Sequence, residues 1–318
     1  MNLRHLRAFA AIADAGGFAR AAARLNLSQP ALSRQIHALE TELGVLLFDR
    51  VGRRVQITSE GEDLLRRSRR LVADADSLGE RARALKTGQT GTLRVGATPQ
   101  VIEALIANFL THYQRRYPGV EVQLVEDGGA QLPHRLERGE VQLAHMPAGD
   151  ERFESRLLFP MHTLAVLPER HPLSRRSVLD VAELANEPLL LLGRGFASRA
   201  WFEAACHVAQ VRPRVLLDSA APHTLIALAR TGYGIAVVPS PVRIPRDGIR
   251  AVPLVQRGAS IGRWAVIAWD PQRFLAPYAE QFVRELVSSV RRDYPGRDLS
   301  RRAPPLTRPD QPPANSSR

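Results

Sequence analysis

The chain has 318 residues, 44% of them hydrophobic and 24% charged, which is ordinary for a soluble protein and leaves room for two or three domains. Its formal net charge is +12, and Lys86 is the only lysine, so arginine supplies the excess; this suits a polyanionic partner, or reflects a genome rich in G and C. A single cysteine, Cys206, excludes an intramolecular disulfide and any multi-cysteine metal site, and no apolar run is long enough to span a bilayer.

Arg4 and Arg7 are followed by a helical pattern and by no apolar export segment, so a cytoplasmic protein is expected. Leu3 to Asp14 reads as a first helix with Leu6, Phe9 and Ile12 on one face. A second short helix carries Ala21, Ala22 and Leu25, and Asn26-Leu27-Ser28 makes a polar turn. Ser28 is suited to cap a third helix, with Pro30 in its first turn, where the missing N–H costs nothing. Leu32, Ile36, Leu39 and Leu43 form the core stripe of that helix, and Gly44 stops it. The opposite face shows Gln29, Ser33, Arg34 and His37, which are donors and acceptors suited to base edges and phosphates. Ser28 to Leu43 is therefore expected to be the recognition helix of a helix-turn-helix.

Strand-forming residues on either side of Gly52-Arg53-Arg54 predict a short hairpin, or wing, with a cationic tip. Ser59-Glu60-Gly61-Glu62 fits a capping box that opens a long helix to about Lys86. On it Leu64, Ser68, Leu71, Ala75, Leu78, Ala82 and Leu85 alternate steps of four and three, a heptad seam that predicts a dimer through Leu71 and Leu78. Thr87 to Gly91 reads as a hinge. From Leu93 onward strands alternate with helices, which predicts α/β architecture with a parallel sheet covered on both faces. The theme repeats after Leu189, and Leu164–Leu167 and Trp264–Ala268 read as strands crossing between two halves. From about Asp293 the chain is rich in Pro, Arg, Ser and Asp and reads as a disordered tail.

These residues resemble the LysR-type family of bacterial transcription regulators over about the first 290 positions. The match is most specific in the head, at Ala21-Ala22, Leu25, Ser28 to Ser33, Ile36, Leu39-Glu40, Leu43-Gly44, Leu47-Phe48, Arg50, Thr58 and Gly61. It is looser at Gly139-Glu140, at Pro168 with His171-Pro172-Leu173, and at Gly232 to Ile235 running into Pro239. The resemblance implies a winged helix-turn-helix over residues 1–58, a dimerisation linker helix over 59–87, and a periplasmic-binding-protein-like effector domain over 92–292. Its two α/β subdomains would be 92–162 with 266–292, and 163–265, leaving 293–318 as the tail. The implied function is sequence-specific, effector-modulated transcription regulation by a homodimer or homotetramer, with RNA polymerase a candidate further partner. Three positions depart from the pattern: Phe18 stands where serine is common, Gln142 where aspartate is frequent, and His145 where an aliphatic residue is usual.

Candidate contacts to double-stranded DNA are Ser28, Gln29, Pro30, Ser33, Arg34, His37, Arg53 and Arg54. A small organic effector, with a carboxylate as one candidate, is expected between the subdomains near Thr98, Gln100, Gly128, Phe196, Ser198 and Arg199. There two helix starts and one guanidinium would meet an anion, and Phe196 would supply an apolar wall. If the hydroxyls of Thr98 and Ser198 are merely helix caps, that site lies elsewhere. The nine histidines lack metal-ligand spacing, Gly193-Arg194-Gly195 lacks a third glycine, and G-x-S-x-G is absent, so no metal, cofactor or enzyme activity is expected. A solute-binding protein would need an export signal, and an enzyme would need converging acid, base or nucleophile groups. A constitutive DNA-binding protein with a vestigial ligand domain fits the sequence as well.

Overall fold

The computed structural model describes residues 2–51, 54–87, 90–245 and 247–309. The chain divides into two compact units: Met1–Thr87 with Glu137–Glu140 and Gln272–Phe274, and Gly88–Leu136 with Val141–Pro271 and Leu275–Arg318.

In the first unit, helices α1 (Leu3–Ala15), α2 (Phe18–Arg24) and α3 (Gln29–Leu43) enclose a core of Leu6, Phe9, Ile12, Ala21, Leu32, Ile36 and Leu39. Ser28 caps α3 by accepting from Ala31 N at 3.3 Å, and Gly44, at φ 73°, ends it in the left-handed region. The Glu40 carboxylate accepts from Leu47 N (2.8 Å) and Phe48 N (3.3 Å), so it fixes where the chain leaves α3 for the wing. The wing pairs β1 (Phe48–Val51) antiparallel with β2 (Arg54–Ile57). Phe48 takes Phe9 and Phe18 edge-on at 5.4 and 5.8 Å, so the unusual Phe18 adds an aromatic contact under the wing.

Helix α4 (Ser59–Thr87) begins one residue after its true cap. Thr58, rather than Ser59, supplies the capping oxygen: its Oγ1 accepts from Gly61 N at 2.9 Å and donates to Leu46 O. A Cβ at Gly61 would lie 2.4 Å from Leu47 O, which requires glycine there. Leu65 and Ser68 are buried against the head, and Arg7–Asp76 and Arg69–Asp14 ion pairs tie α1 to α4. Ser68 of the heptad seam is thus covered within its own unit, whereas Leu71 and Leu78 are 47% and 70% exposed.

The second unit holds β3 (Gly91–Ala97), β4 (Val120–Glu126), β5 (Leu143–Pro147), β6 (Glu154–Pro168), β7 (Leu179–Asp180), β8 (Pro188–Leu192), β9 (Arg214–Ser219), β10 (Ile235–Pro239), β11 (Ile249–Gln256), β12 (Ala259–Ser260) and β13 (Gly262–Trp269). They hydrogen-bond in the order β4-β3-β5-β13-β6-β10-β8-β9, with β11 also on β6. The sheet is mixed rather than parallel: β3–β4, β3–β5, β8–β9 and β8–β10 are parallel, but β13 and β6 run antiparallel to their neighbours. The physical reason is connectivity, because the two crossing strands enter each half from its opposite end. The fifteen-residue β6 serves both halves, pairing with β13 up to His162 and with β10 from Thr163.

Helix α5 (Pro99–Val101), a π turn over Ile102–Ile106 and α6 (Ala107–Arg116) follow β3 without a break. The remaining helices are α7 (Leu132–Glu137), α8 (Ala197–Val208), α9 (Pro222–Thr231), α10 (Pro277–Arg292) and α11 (Arg297–Ser300). The expectation of a disordered tail from Asp293 is corrected over residues 293–309. Tyr294 stacks on buried Phe159 (5.5 Å, 10°), Pro304 O accepts from Ser260 Oγ (2.6 Å), Leu306 O accepts from Trp264 Nε1 (3.3 Å), and Arg308 lies over the Trp264 ring. Few apolar residues suffice here because the segment docks by aromatic stacking and backbone acceptors. Residues 310–318 lie outside the described residues.

Candidate functional site

Two groups of predicted residues stand in the two units. In the first, α3 turns Leu32, Ile36 and Leu39 inward, which leaves the other side of the helix to solvent. Ser28, Gln29, Pro30, Arg34 and His37 are exposed there, and Ser33 is half-buried. The Ser28 hydroxyl is engaged as the cap, so only its remaining hydrogen-bonding capacity faces outward. Arg54 opens β2, while its side chain and the whole of Arg53 lie outside the described residues.

In the second unit a small cavity lies where the carboxyl end of β3 meets the start of α8. Five of the six residues predicted for an effector line it: Thr98, Gln100, Gly128, Phe196 and Ser198. Met161, Trp201 and Pro239 add apolar walls, and no charged side chain is among the lining residues. Its volume is about 30 Å³, room for a water or two. The walls are drawn together by backbone. Gly129 and Phe196 form a β-bridge, and Ala130 N donates to Gly195 O at 3.1 Å. Glycine suits this clasp, since Gly129 holds φ 105° and a Cβ at Gly128 would press on Gly195 O at 3.1 Å. Nearby, His223 Nε2 and Glu103 Oε2 meet at 2.8 Å between α9 and the π turn.

Arg199 does not join this group. Its guanidinium points away from the cavity, donating to Glu203 Oε1 (2.8 Å), Leu192 O (3.0 Å) and the Asp218 carboxylate. Three acceptors on α8, β8 and β9 outcompete a place in the cavity, and Arg199 is not a cavity-lining residue. Gln142 likewise turns from the cavity to the backbone of Arg94, whose N–H donates to its Oε1 at 2.7 Å.

His145 is a polar lining residue that the candidate set lacked. It stands on β5, fully buried, and burial pushes its imidazole down to about 4, so it is neutral at cellular pH. The polar atoms Thr98 Oγ1, Gln100 Oε1, His145 Nδ1 and His145 Nε2 are buried with no hydrogen-bond partner among the described residues. Its departure from an aliphatic pattern was the available signal. Cys206 is buried on α8, and burial pushes its thiol up to about 11, which makes it inert at neutral pH. Among the described residues no cluster of His, Cys, Asp or Glu could hold a metal ion, and no helix is long and apolar enough to cross a membrane.

Residues 3–62 match the bacterial regulatory helix-turn-helix protein, lysR family, and residues 86–291 match the LysR substrate binding domain. The chain is 31% identical to the uncharacterized HTH-type transcriptional regulator YnfL of Escherichia coli (strain K12), over 92% of this chain and 99% of that protein. It is also 31% identical to the HTH-type transcriptional regulator BudR of Raoultella terrigena, over 89% and 100%. A full-length OxyR variant from Pseudomonas aeruginosa has the same fold, with TM-score 0.67, 26% identity, and coverage of 92% of this chain and 95% of that one.

Proposed function

The chain belongs to the LysR family of bacterial helix-turn-helix regulators, and on that premise we propose that Ser28 to His37 enter the major groove of an imperfect palindrome. It is a DNA-binding transcriptional regulator with a C-terminal effector-binding domain. The observation that carries the groove assignment is the capped α3, with its apolar stripe buried and Gln29, Arg34 and His37 exposed. Arg34 reads a base edge, Ser28, Gln29, Pro30, Ser33 and His37 set register, and Arg53 and Arg54 neutralise backbone phosphates. Selection of bound sequences from random DNA, followed by binding titrations of Arg34→Ala, tests this. The variant is expected to lose about 1–3 kcal/mol on the selected site and to accept more sequences. Unchanged affinity and preference would remove Arg34 from base reading.

The effector is a small organic molecule held by Thr98, Gln100, Gly128, Phe196 and Ser198. The start of α8 at Phe196 has no side-chain cap, and Ala197 and Ser198 of its first turn line the cavity. Its first-turn backbone N–H groups suit an electron-rich atom of the effector. A cavity of about 30 Å³ is smaller than such a molecule, so binding parts the Gly129–Phe196 clasp and shifts the unit between closures. Residues 87–91, of which 88 and 89 lie outside the described residues, carry that change toward the DNA-binding unit. The protein works in the cytoplasm as a homodimer or homotetramer, contacts RNA polymerase at its promoters, and carries out no catalysis.

A further inference from the structure

Three residues lining the cavity assigned to the effector carry four buried polar atoms that have no hydrogen-bond partner among the described residues, and this inference rests on that assignment. Thr98 Oγ1, Gln100 Oε1 and both ring nitrogens of His145 are buried beyond nine-tenths and have no partner among the described residues. A buried polar atom left without a hydrogen bond is costly and rare in folded proteins, so four on residues lining one cavity mark a surface built for a bound group. The chemistry of the four constrains that group. A neutral imidazole presents one N–H donor and one lone pair. The Gln100 oxygen can only accept, and the Thr98 hydroxyl can do either. A carboxylate has no proton to give Gln100 Oε1, and no charged side chain lines the cavity to balance it. An ammonium would find no carboxylate, because no charged side chain lines the cavity and Glu203 and Asp218 are engaged by Arg199. A hydroxyl or carboxamide both donates and accepts, and it leaves no charge to desolvate. Around it Phe196, Trp201 and Met161 offer a flat apolar wall.

We infer that His145, with Thr98 and Gln100, selects an effector whose inner end is an uncharged donor–acceptor group, a hydroxyl or carboxamide, borne on an apolar or aromatic body. His145 acts as a specificity-determining residue, standing where an aliphatic side chain would be indifferent to the head group.

Four probes sharing one ring separate the possibilities: benzyl alcohol, benzamide, benzoate and benzylammonium. Each is titrated into the full-length protein while the ring signals of His145 and the indole N–H of Trp201 are followed by NMR. The alcohol and the amide are expected to move both signals and to bind at least tenfold tighter than the two charged probes. His145→Leu should erase that tenfold preference, and His145→Gln, which keeps a neutral donor and acceptor, should retain most of it. Benzoate binding as tightly as benzamide, or an unchanged ranking in His145→Leu, overturns the head-group assignment while movement of Trp201 keeps the cavity as the effector site. If none of the four moves either signal, the cavity assignment falls and the His145 inference falls with it.

Discussion

The Arg199 guanidinium donates to Glu203, Leu192 O and Asp218, which makes it a brace between α8, β8 and β9. Arg199→Ala should therefore lower stability by about 2 kcal/mol, less than the 3–5 of a fully buried pair because both carboxylates stay partly exposed. Urea unfolding measures it, and benzamide should shift the Trp201 signal of the variant as is expected for the wild type. A stable variant with lost probe binding would return Arg199 to the site. Sequence placed this residue correctly at the opening of a helix, but could not show which way a long side chain turns. The choice depends on Glu203, one helical turn on, and on Asp218, which only the sheet brings near. The same limit applied to His145. Its unusual identity was visible, but its two unpartnered nitrogens follow from the fold of β5 against the cavity.

Helix α4 presents Leu71 and Leu78 to solvent on one face, seven positions apart, while Leu65 and Ser68 are covered by the head. Such a stripe on a long helix calls for a partner, and a second copy of the helix is the economical one. Leu71→Glu and Leu78→Glu should each bury an unpaired charge in that seam and halve the sedimenting mass. Retention of the wild-type mass by both would assign dimerisation to another surface. The segment after α10 behaves as a strap. Gly296 stands at φ 80°, and a Cβ there would come 2.5 Å from Ser240 O. Gly296→Ala should cost about 1–3 kcal/mol through strain and contact, and should expose the segment beyond Tyr294 to limited proteolysis. Protection equal to wild type would mean that the strap is held by Ser260 and Trp264 alone. Composition argued against order here, because stacking on Phe159 draws its energy from a ring distant in sequence.

Across the molecule, acid should unfold the second unit through its buried histidines. His145 and His162 both have their ordinary value near 6.5 pushed down to about 4 by burial. The unfolded chain then binds more protons between those values, so this contribution is complete above pH 6.5 and is lost as pH falls toward 4. Each histidine adds a slope of about 1.4 kcal/mol per pH unit in that window. Urea unfolding at pH 7, 6 and 5 should show the loss, and His145→Leu should remove one histidine's share of the slope. An unchanged slope would mean that the ring is solvated in solution. By itself the sequence determined the helix-turn-helix, its Ser28 cap, the long helix and the alternation of strands and helices. Each of these is written in local spacing: a 3.6-residue apolar period, a cap at the start and a glycine at the end. The tertiary structure alone decided that β6 and β13 run antiparallel within a mixed sheet, that the strap is ordered, that Arg199 is a brace, and that residues lining one small cavity carry four unpartnered polar atoms. Those outcomes depend on groups tens to hundreds of residues apart, and only closure of the sheet sets the distances between them.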